Sequence, residues 1–126
     1  MKVIALGLDL VEVSRIRDLL GRHGERFKER MFSAAEQDYC ENQAEPSMHY
    51  AARFAAKEAV AKALGTGFAE GVGWSDIEVL RADNGQPSIA LHQGAAERAR
   101  QLGIAQVLVT LTHTKDAAAA SVVALG

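Results

Sequence analysis

Residues 46–65, with the sequence PSMHYAARFAAKEAVAKALG, decide the fold. Proline favours the first position of a helix and glycine the residue after its end, so this stretch predicts a helix from Pro46 through Leu64, stopped at Gly65. At about 100° per residue, one side of this helix is a ridge of mostly alanine side chains. The ridge consists of Met48, Ala52, Ala55, Ala56, Ala59 and Ala63. Side chains this small let a helix pack very close to a sheet or to another helix.

Charged side chains on the same helix form two one-turn pairs. Arg53 and Lys57 lie nearly opposite the ridge, on the face predicted to be open, whereas Glu58 and Lys62 lie on the flank. Taken alone, the Glu58 and Lys62 pair is typical of a surface salt bridge worth a few tenths of a kcal/mol. Three cations against one acid, and a second carboxylate at Asp9, favour a ligand site instead.

The helix runs into a loop, Gly65–Gly73, that contains four glycines. Glycines let a backbone approach phosphates closely. Because the loop follows the helix, the negative end of the helix dipole faces it, and the dipole does not favour an anion there. Cationic side chains would have to bind the phosphates, and Arg53, Lys57 and Lys62 of the helix are available for that. Since Gly65 is adequately explained as a helix stop, the glycines by themselves are a weak signal.

On the N-terminal side of the long helix, the pattern predicts a buried strand over Lys2–Leu8, with Asp9 at its end. An amphipathic helix follows from Glu12 and is predicted to break at Gly21 and Gly24. Residues 33–36 have the form of a capping box and predict a helix from Ser33 to about residue 41.

On the C-terminal side, residues 76–81 and 87–91 read as two strands, and Asp83-Asn84-Gly85 between them is a hairpin turn. A helix over Gly94–Leu102 is predicted to stop at Gly103. Two further strands, residues 106–112 and 118–125, complete the order β-α-α-α-β-β-α-β-β. Strands joined mostly as hairpins predict an α+β fold with a largely antiparallel sheet.

The composition bounds the class of protein. A chain of 126 residues fits one domain, residues 1–126. The net charge of −2 argues against nucleic-acid binding, and one cysteine excludes an internal disulfide. No signal peptide or membrane span is evident, so we expect a cytoplasmic protein without a membrane partner. The charge is uneven, however, because residues 14–31 hold six Lys/Arg against three acids.

Two motifs resemble the signatures of the 4'-phosphopantetheinyl transferase superfamily. Residues 54–67, FAAKEAVAKALGTG, are similar to a family pattern F-x-x-K-E-A-x-x-K-A-x-G. Near the N-terminus, Gly7-Leu8-Asp9, followed by Arg15-Ile16, resembles the pattern G-x-D-x-x-x-x-x-R-I. The two motifs stand in the expected order, and the short chain is similar in length to the branch that acts on acyl carrier proteins.

The resemblance implies a magnesium-dependent transfer of 4'-phosphopantetheine from coenzyme A to a serine of an apo-acyl carrier protein, in support of fatty acid biosynthesis. It also implies trimers with the active sites between subunits. Asp9 and Glu58 match metal ligands and, with Lys62, the catalytic set. The positions that match coenzyme A contacts are Arg53, Lys62, Gly65, Thr66 and His113. A metal-bound water or Glu58 could take the serine proton, and the sequence does not decide between them.

The first helix matches the surface on which family members dock the carrier protein. Arg15 is its best-defined position, and Arg22, Arg26 and Arg30 extend the basic run. Because acyl carrier proteins are strongly acidic, these cations could steer one into place. Two other functions remain open: a magnesium-dependent hydrolase of nucleotides or coenzyme A, and a non-enzymatic interaction domain whose charges are surface pairs.

Overall fold

The computed structural model describes all of residues 1–126. Five strands and four helices follow the predicted order, with a short 3-10 turn at Trp74–Asp76 before the second strand. They are β1 (Val3–Glu12), α1 (Val13–Met31), α2 (Ala34–Glu41), α3 (Pro46–Leu64), β2 (Ile77–Arg81), β3 (Pro87–Leu91), α4 (Gln93–Gln101), β4 (Gln106–His113) and β5 (Ala117–Leu125).

Every strand pairing is antiparallel, which confirms the predicted class, but the strands form two sheets. The larger has the order β1-β5-β4, and the smaller is the β2-β3 hairpin. Its turn lies where predicted, with Gly85 in the left-handed region at φ 86°. In the larger sheet Asp9 on β1 is level with Ala120 on β5 and Leu111 on β4. This row places the middle of β1 across the sheet from the end of β4.

α3 packs across the larger sheet, and Gly7 on β1 is the point of closest approach. A Cβ atom added at Gly7 would lie 1.9 Å from the backbone oxygen of Ala59. Small residues on both elements therefore allow the backbones to come together, as the alanine ridge predicts. Since Gly7, Asp9 and Val11 alternate along a strand with outward-facing residues, Asp9 lies on the same side of the sheet as α3.

The prediction that one face of α3 is open to solvent was wrong. Thirteen of its residues are buried, on every side of the helix, and Lys62 is its one exposed residue. Arg53 and Lys57, expected in solvent, are each only 1% exposed. α2 and the 3-10 turn cover that side of the helix. The ion pair of Lys57 with Glu36 of α2 compensates the free-energy cost of burying the ammonium group.

Two predicted boundaries on the N-terminal side were also wrong. β1 continues to Glu12, so Asp9 lies within the strand rather than at its end, because the alternation of inward and outward side chains persists through Val11. Gly21 does not break α1, and the one break is at Gly24, where φ is 48° and ψ is −125°. The predicted capping box at Ser33 and Glu36 and the helix stop at Gly65 are confirmed.

The face of the larger sheet opposite α3 has no covering element. Leu6, Leu8 and Leu10 on β1 are between 65% and 71% exposed there. Leu108 on β4 lies in the same row as Leu6 and is also exposed. We call these four leucines the open sheet face. None of the helices is long and apolar enough to cross a lipid bilayer.

Candidate functional site

Asp9 and Lys62 meet where α3 passes over β1. The Lys62 ammonium donates to Oδ1 of Asp9 at 2.9 Å and to the backbone oxygen of Leu8 at 3.0 Å. The Asp9 side chain is 15% exposed, whereas that of Lys62 is 54% exposed. The one-turn salt bridge between Glu58 and Lys62 does not form, because Lys62 reaches across to β1 instead.

Glu58 completes this group, which we call the carboxylate cluster (Asp9, Glu58 and Lys62). Burial raises the pKa of the Glu58 carboxyl, and the negative charge of Asp9 raises it further. Lys62 and Arg15 act in the opposite direction and lower it. Two carboxylates from a strand and a helix therefore repel each other at one place, and a cation between them would relieve that repulsion.

The carboxylate cluster fits a magnesium ion whose other ligands are phosphate oxygens and water. No group of three or more His, Cys, Asp or Glu side chains in the chain could hold a metal by itself. Magnesium is commonly held by one or two carboxylates, with substrate phosphates and water filling the other positions. The two carboxylates of this cluster match that pattern, so Asp9 and Glu58 are suited to a metal that arrives with a phosphate ligand.

A second cluster lies at the other half of α3 and contains Arg53. Its guanidinium lies 4.1 Å from the ring centroid of Tyr39, and Nη1 donates to the backbone oxygen of His49 at 3.3 Å. Burial lowers the pKa of Arg53, its Nε has no partner, and it forms no ion pair with a carboxylate. A buried cation without a counter-charge is costly, and a bound anion would remove that cost.

His113 joins the same cluster from the end of β4. Its ring centroid lies 4.9 Å from that of His49. Burial lowers the pKa of His49, and the positive charges of His113, Arg53 and Arg81 add to the effect. The basic groups therefore come from three elements, α3, β2 and β4, and they surround an aromatic ring from α2. We call this group the histidine–arginine cluster (Tyr39, His49, Arg53, Arg81 and His113).

Sequence reasoning found Arg53 and His113 but missed Tyr39, His49 and Arg81. A signal existed for His49, because it precedes Arg53 by one helical turn and so shares its side of α3. No local pattern marks Tyr39 or Arg81, whose guanidinium lies 5.0 Å from the Tyr39 ring centroid. From Arg53 to Lys62 the helix rises roughly 13 Å, which separates the two clusters along its axis.

Gly65 and Thr66 follow directly on the last turn of α3, beside Lys62. Gly65 adopts φ 77°, and its N–H donates to the backbone oxygen of Lys62 at 3.0 Å. The Thr66 hydroxyl donates to the oxygen of Gly67 at 2.9 Å. The loop therefore starts at the carboxylate cluster and lies far from the histidine–arginine cluster.

The Lys57 ammonium has all its partners within the protein interior, and Lys57 belongs to neither cluster. Its ammonium lies 3.0 Å from Oε1 of Glu36 and donates to the backbone oxygens of Trp74 and Ile77. Burial lowers its pKa, and Glu36 opposes that shift. The expectation that Lys57 is available to phosphates was therefore wrong, since its three donors already have partners.

Of the predicted docking residues, Arg15 lies closest to the carboxylate cluster. Its guanidinium lies 5.5 Å from the ring centroid of Phe54 on α3, and its charge lowers the pKa of Glu58. Arg22, Arg26 and Arg30 are exposed further along α1, the last two beyond the kink at Gly24. The basic run thus forms an exposed strip that leads away from Glu58.

Known proteins resemble this chain over nearly its full length. A family model described as the 4'-phosphopantetheinyl transferase superfamily matches residues 5–122. The holo-[acyl-carrier-protein] synthase of Chlamydia pneumoniae is 42% identical over 125 residues, which cover 99% of each chain. That of Anaeromyxobacter sp. (strain K) is 48% identical over 127 residues, covering 98% of this chain and 97% of the relative.

Solved structures of holo-[acyl-carrier-protein] synthases are also similar to this chain. The holo-[acyl-carrier-protein] synthase from Neisseria meningitidis has a TM-score of 0.89 at 30% identity, covering 99% of this chain and 100% of the other. The Helicobacter pylori enzyme in complex with coenzyme A has a TM-score of 0.84 at 29% identity, covering 95% and 99%. The chain belongs to the 4'-phosphopantetheinyl transferase superfamily.

Proposed function

We propose that this chain is a holo-[acyl-carrier-protein] synthase, which transfers 4'-phosphopantetheine from coenzyme A to a serine of apo-acyl carrier protein and serves fatty acid biosynthesis. The observation that carries the proposal is the pair of clusters on α3. Coenzyme A has a pyrophosphate and, separately, a phosphate on its ribose. The carboxylate cluster suits a metal-bound pyrophosphate, and the histidine–arginine cluster suits the second phosphate.

In the reaction, the serine oxygen bonds to the β-phosphorus and the bond from that phosphorus to the bridging oxygen breaks, which releases adenosine 3',5'-bisphosphate. Such transfers depend mainly on positioning and charge neutralisation. Asp9 and Glu58 would hold Mg²⁺, which supplies positive charge to phosphate oxygens when bound. Lys62 adds positive charge for the leaving phosphate. Glu58, whose pKa is raised, is the candidate on this chain to accept the serine proton.

We further propose that the acidic carrier protein docks on α1. Arg15 lies beside the carboxylate cluster and orients the carrier where its serine must arrive. The exposed strip of Arg22, Arg26 and Arg30 supplies longer-range attraction, which raises the association rate more than the final affinity.

The open sheet face supports a homotrimer with sites between subunits. Four exposed leucines on one sheet face are more apolar surface than isolated surface residues explain. β1 is an edge strand of this sheet and carries Asp9 on its other side, so a neighbouring subunit that packs on the open sheet face and extends past the β1 edge would border the carboxylate cluster. We also propose that residues 1–126 form a single domain and that the protein works in the cytoplasm, where its carrier and coenzyme A are found.

The experiment that tests the proposed function is the intact mass of an apo-acyl carrier protein after incubation with this protein, coenzyme A and Mg²⁺. A gain of one phosphopantetheine group that chelator prevents would support the transferase and its metal together. Coenzyme A breakdown without modified carrier would support a hydrolase instead. An unchanged cofactor and carrier, with several apo-carriers tried, would contradict any enzymatic role at this site.

A further inference from the structure

Arg98 of α4 lies at the C-terminal end of α3, although neither family motif contains it. Its Nε donates to the backbone oxygen of Leu64 at 3.0 Å. A Cβ atom added at Gly65 would lie 3.7 Å from one Nη of the same guanidinium. The last residue of α3 and the first of the glycine-rich loop are therefore both in contact with one arginine side chain.

Two other carbonyls of this helix end accept hydrogen bonds from the backbone of the loop. The Gly65 N–H donates to Lys62 and the Gly67 N–H donates to the oxygen of Ala61. The Leu64 oxygen has no such backbone donor, and Arg98 supplies the missing one. This hydrogen bond holds the turn of α3 from which Lys62 reaches Asp9.

Arg98 also supplies a positive charge at the C-terminal end of α3. The C-terminal end of a helix carries partial negative charge, which repels a phosphate bound near it. Arg98 forms no ion pair, although Glu70 and Glu97 line the same cleft. Its charge therefore remains available to offset the negative end of α3, beside the oxygen of Leu64.

The loop is held on α4 at a second point, one turn before Arg98. A Cβ atom at Gly94 would lie 1.9 Å from the backbone oxygen of Gly71, so the loop backbone rests directly on α4. Phe68 stacks on Trp74, with ring centroids 3.7 Å apart, and holds the middle of the loop. Arg98 is the one charged group among these three anchors.

We infer that Arg98 is a positioning residue for coenzyme A: it fixes the Gly65–Gly67 segment and the last turn of α3, and it offsets the negative helix end that faces the pyrophosphate. This inference rests on the proposed function. Arg98 acts through Leu64, Gly65 and Lys62 and does not touch the reacting atoms. It should therefore affect binding of coenzyme A more than binding of the carrier protein.

The test compares Arg98→Gln, Arg98→Lys and a matched control, Arg100→Gln. Arg100 lies on the same helix, is exposed and pairs with Glu97, so its loss removes a cation without touching α3. Each variant is measured for its KM for coenzyme A, its KM for apo-carrier, its kcat and its melting temperature. We expect Arg98→Gln to raise the KM for coenzyme A roughly five- to twentyfold, with the KM for carrier within about twofold. Arg98→Lys should recover part of that loss, and Arg100→Gln should match the wild type.

A KM for coenzyme A within twofold of wild type in Arg98→Gln would overturn the inference. So would an equal rise in both KM values, which indicates general destabilisation. If Arg98→Gln does not melt cooperatively, the measurements on Arg98→Lys are used instead. A wild-type KM for coenzyme A in that folded variant would overturn the inference. Failure of the wild-type protein itself to modify any carrier would instead refute the proposed function, and the inference with it.

Discussion

The ammonium of Lys62, in the last turn of α3, lies 2.9 Å from the carboxylate of Asp9 in the middle of β1. This contact joins the two sequence motifs, which are separated along the chain by most of α1 and by α2. It also leaves Glu58 unpaired beside both residues. The bridge explains why the helix carries its lysine one turn after its glutamate without a salt bridge forming between them.

Replacing Lys62 with Gln should reduce transfer to the carrier by about 100-fold, because positive charge near the leaving phosphate is lost. The side chain is about half exposed, so the melting temperature should change much less than the rate. Initial rates with saturating Mg²⁺ measure the first effect and calorimetry the second. Lys115→Gln, in the exposed turn between β4 and β5, is the control and should retain full activity. An active Lys62→Gln would remove this residue from the catalytic set.

Glu58→Gln should abolish transfer and yet make the folded protein more stable at pH 7. The folded-state pKa of Glu58 is raised, so its ionised form costs stability above the unfolded pKa, and the cost disappears as pH falls below that value. The melting temperature of the variant should therefore exceed that of wild type at pH 7 and converge with it toward pH 4. A lower melting temperature for the variant at pH 7 would contradict the described repulsion from Asp9.

Lys57→Met should destabilise the protein severely, unlike the change at Lys62. Removing one partner of a buried ion pair leaves Glu36 charged in the interior, which costs about 3–5 kcal/mol. Denaturation with urea measures the free energy of unfolding. Glu36 also accepts hydrogen bonds from the N–H groups of Ser33 and Val79, which remain in the variant and hold its charge in place. A decrease in the free energy of unfolding of less than about 1 kcal/mol would show that the ion pair of Lys57 with Glu36 does not stabilise the fold as described.

Arg53→Gln should reduce discrimination between coenzyme A and its analogue that lacks the ribose phosphate. Because the guanidinium is buried without a carboxylate partner, a bound phosphate would be its natural counter-charge. We expect the preference for coenzyme A, measured as the ratio of kcat/KM values, to fall roughly tenfold. His23→Gln, which removes an exposed basic group of α1, should leave the ratio unchanged. An unaltered ratio in Arg53→Gln would argue that the second phosphate binds elsewhere.

Leu6→Asp should dissociate the proposed trimer and abolish activity. Leu6 is 67% exposed on the open sheet face, and a charge there cannot be buried between subunits without a partner. Sedimentation velocity gives the oligomeric state, and carrier modification gives the activity. Leu80→Asp, on the smaller sheet, is the control because it lies off this face. A fully active monomer would show that the site is complete within one subunit.

Local sequence patterns predicted the order of elements well. The capping box at Ser33, the turn at Gly85 and the stop at Gly65 depend on a few adjacent residues, so their chemistry is visible in the sequence. The resemblance of two motifs then pointed to Asp9, Glu58 and Lys62. By itself, the sequence determined the class of fold and the reaction to test.

The tertiary structure decided which charges are available to a ligand. Arg53, Lys57 and Lys62 look alike on one helix, yet one is buried against Tyr39, one is paired with Glu36, and one reaches Asp9. Helical periodicity cannot separate them, because it describes one helix and not the elements that cover it. The charge state and partners of each side chain depend on contacts with residues distant in the chain, since burial and a counter-charge, rather than residue type, determine the free energy of an ion in a protein.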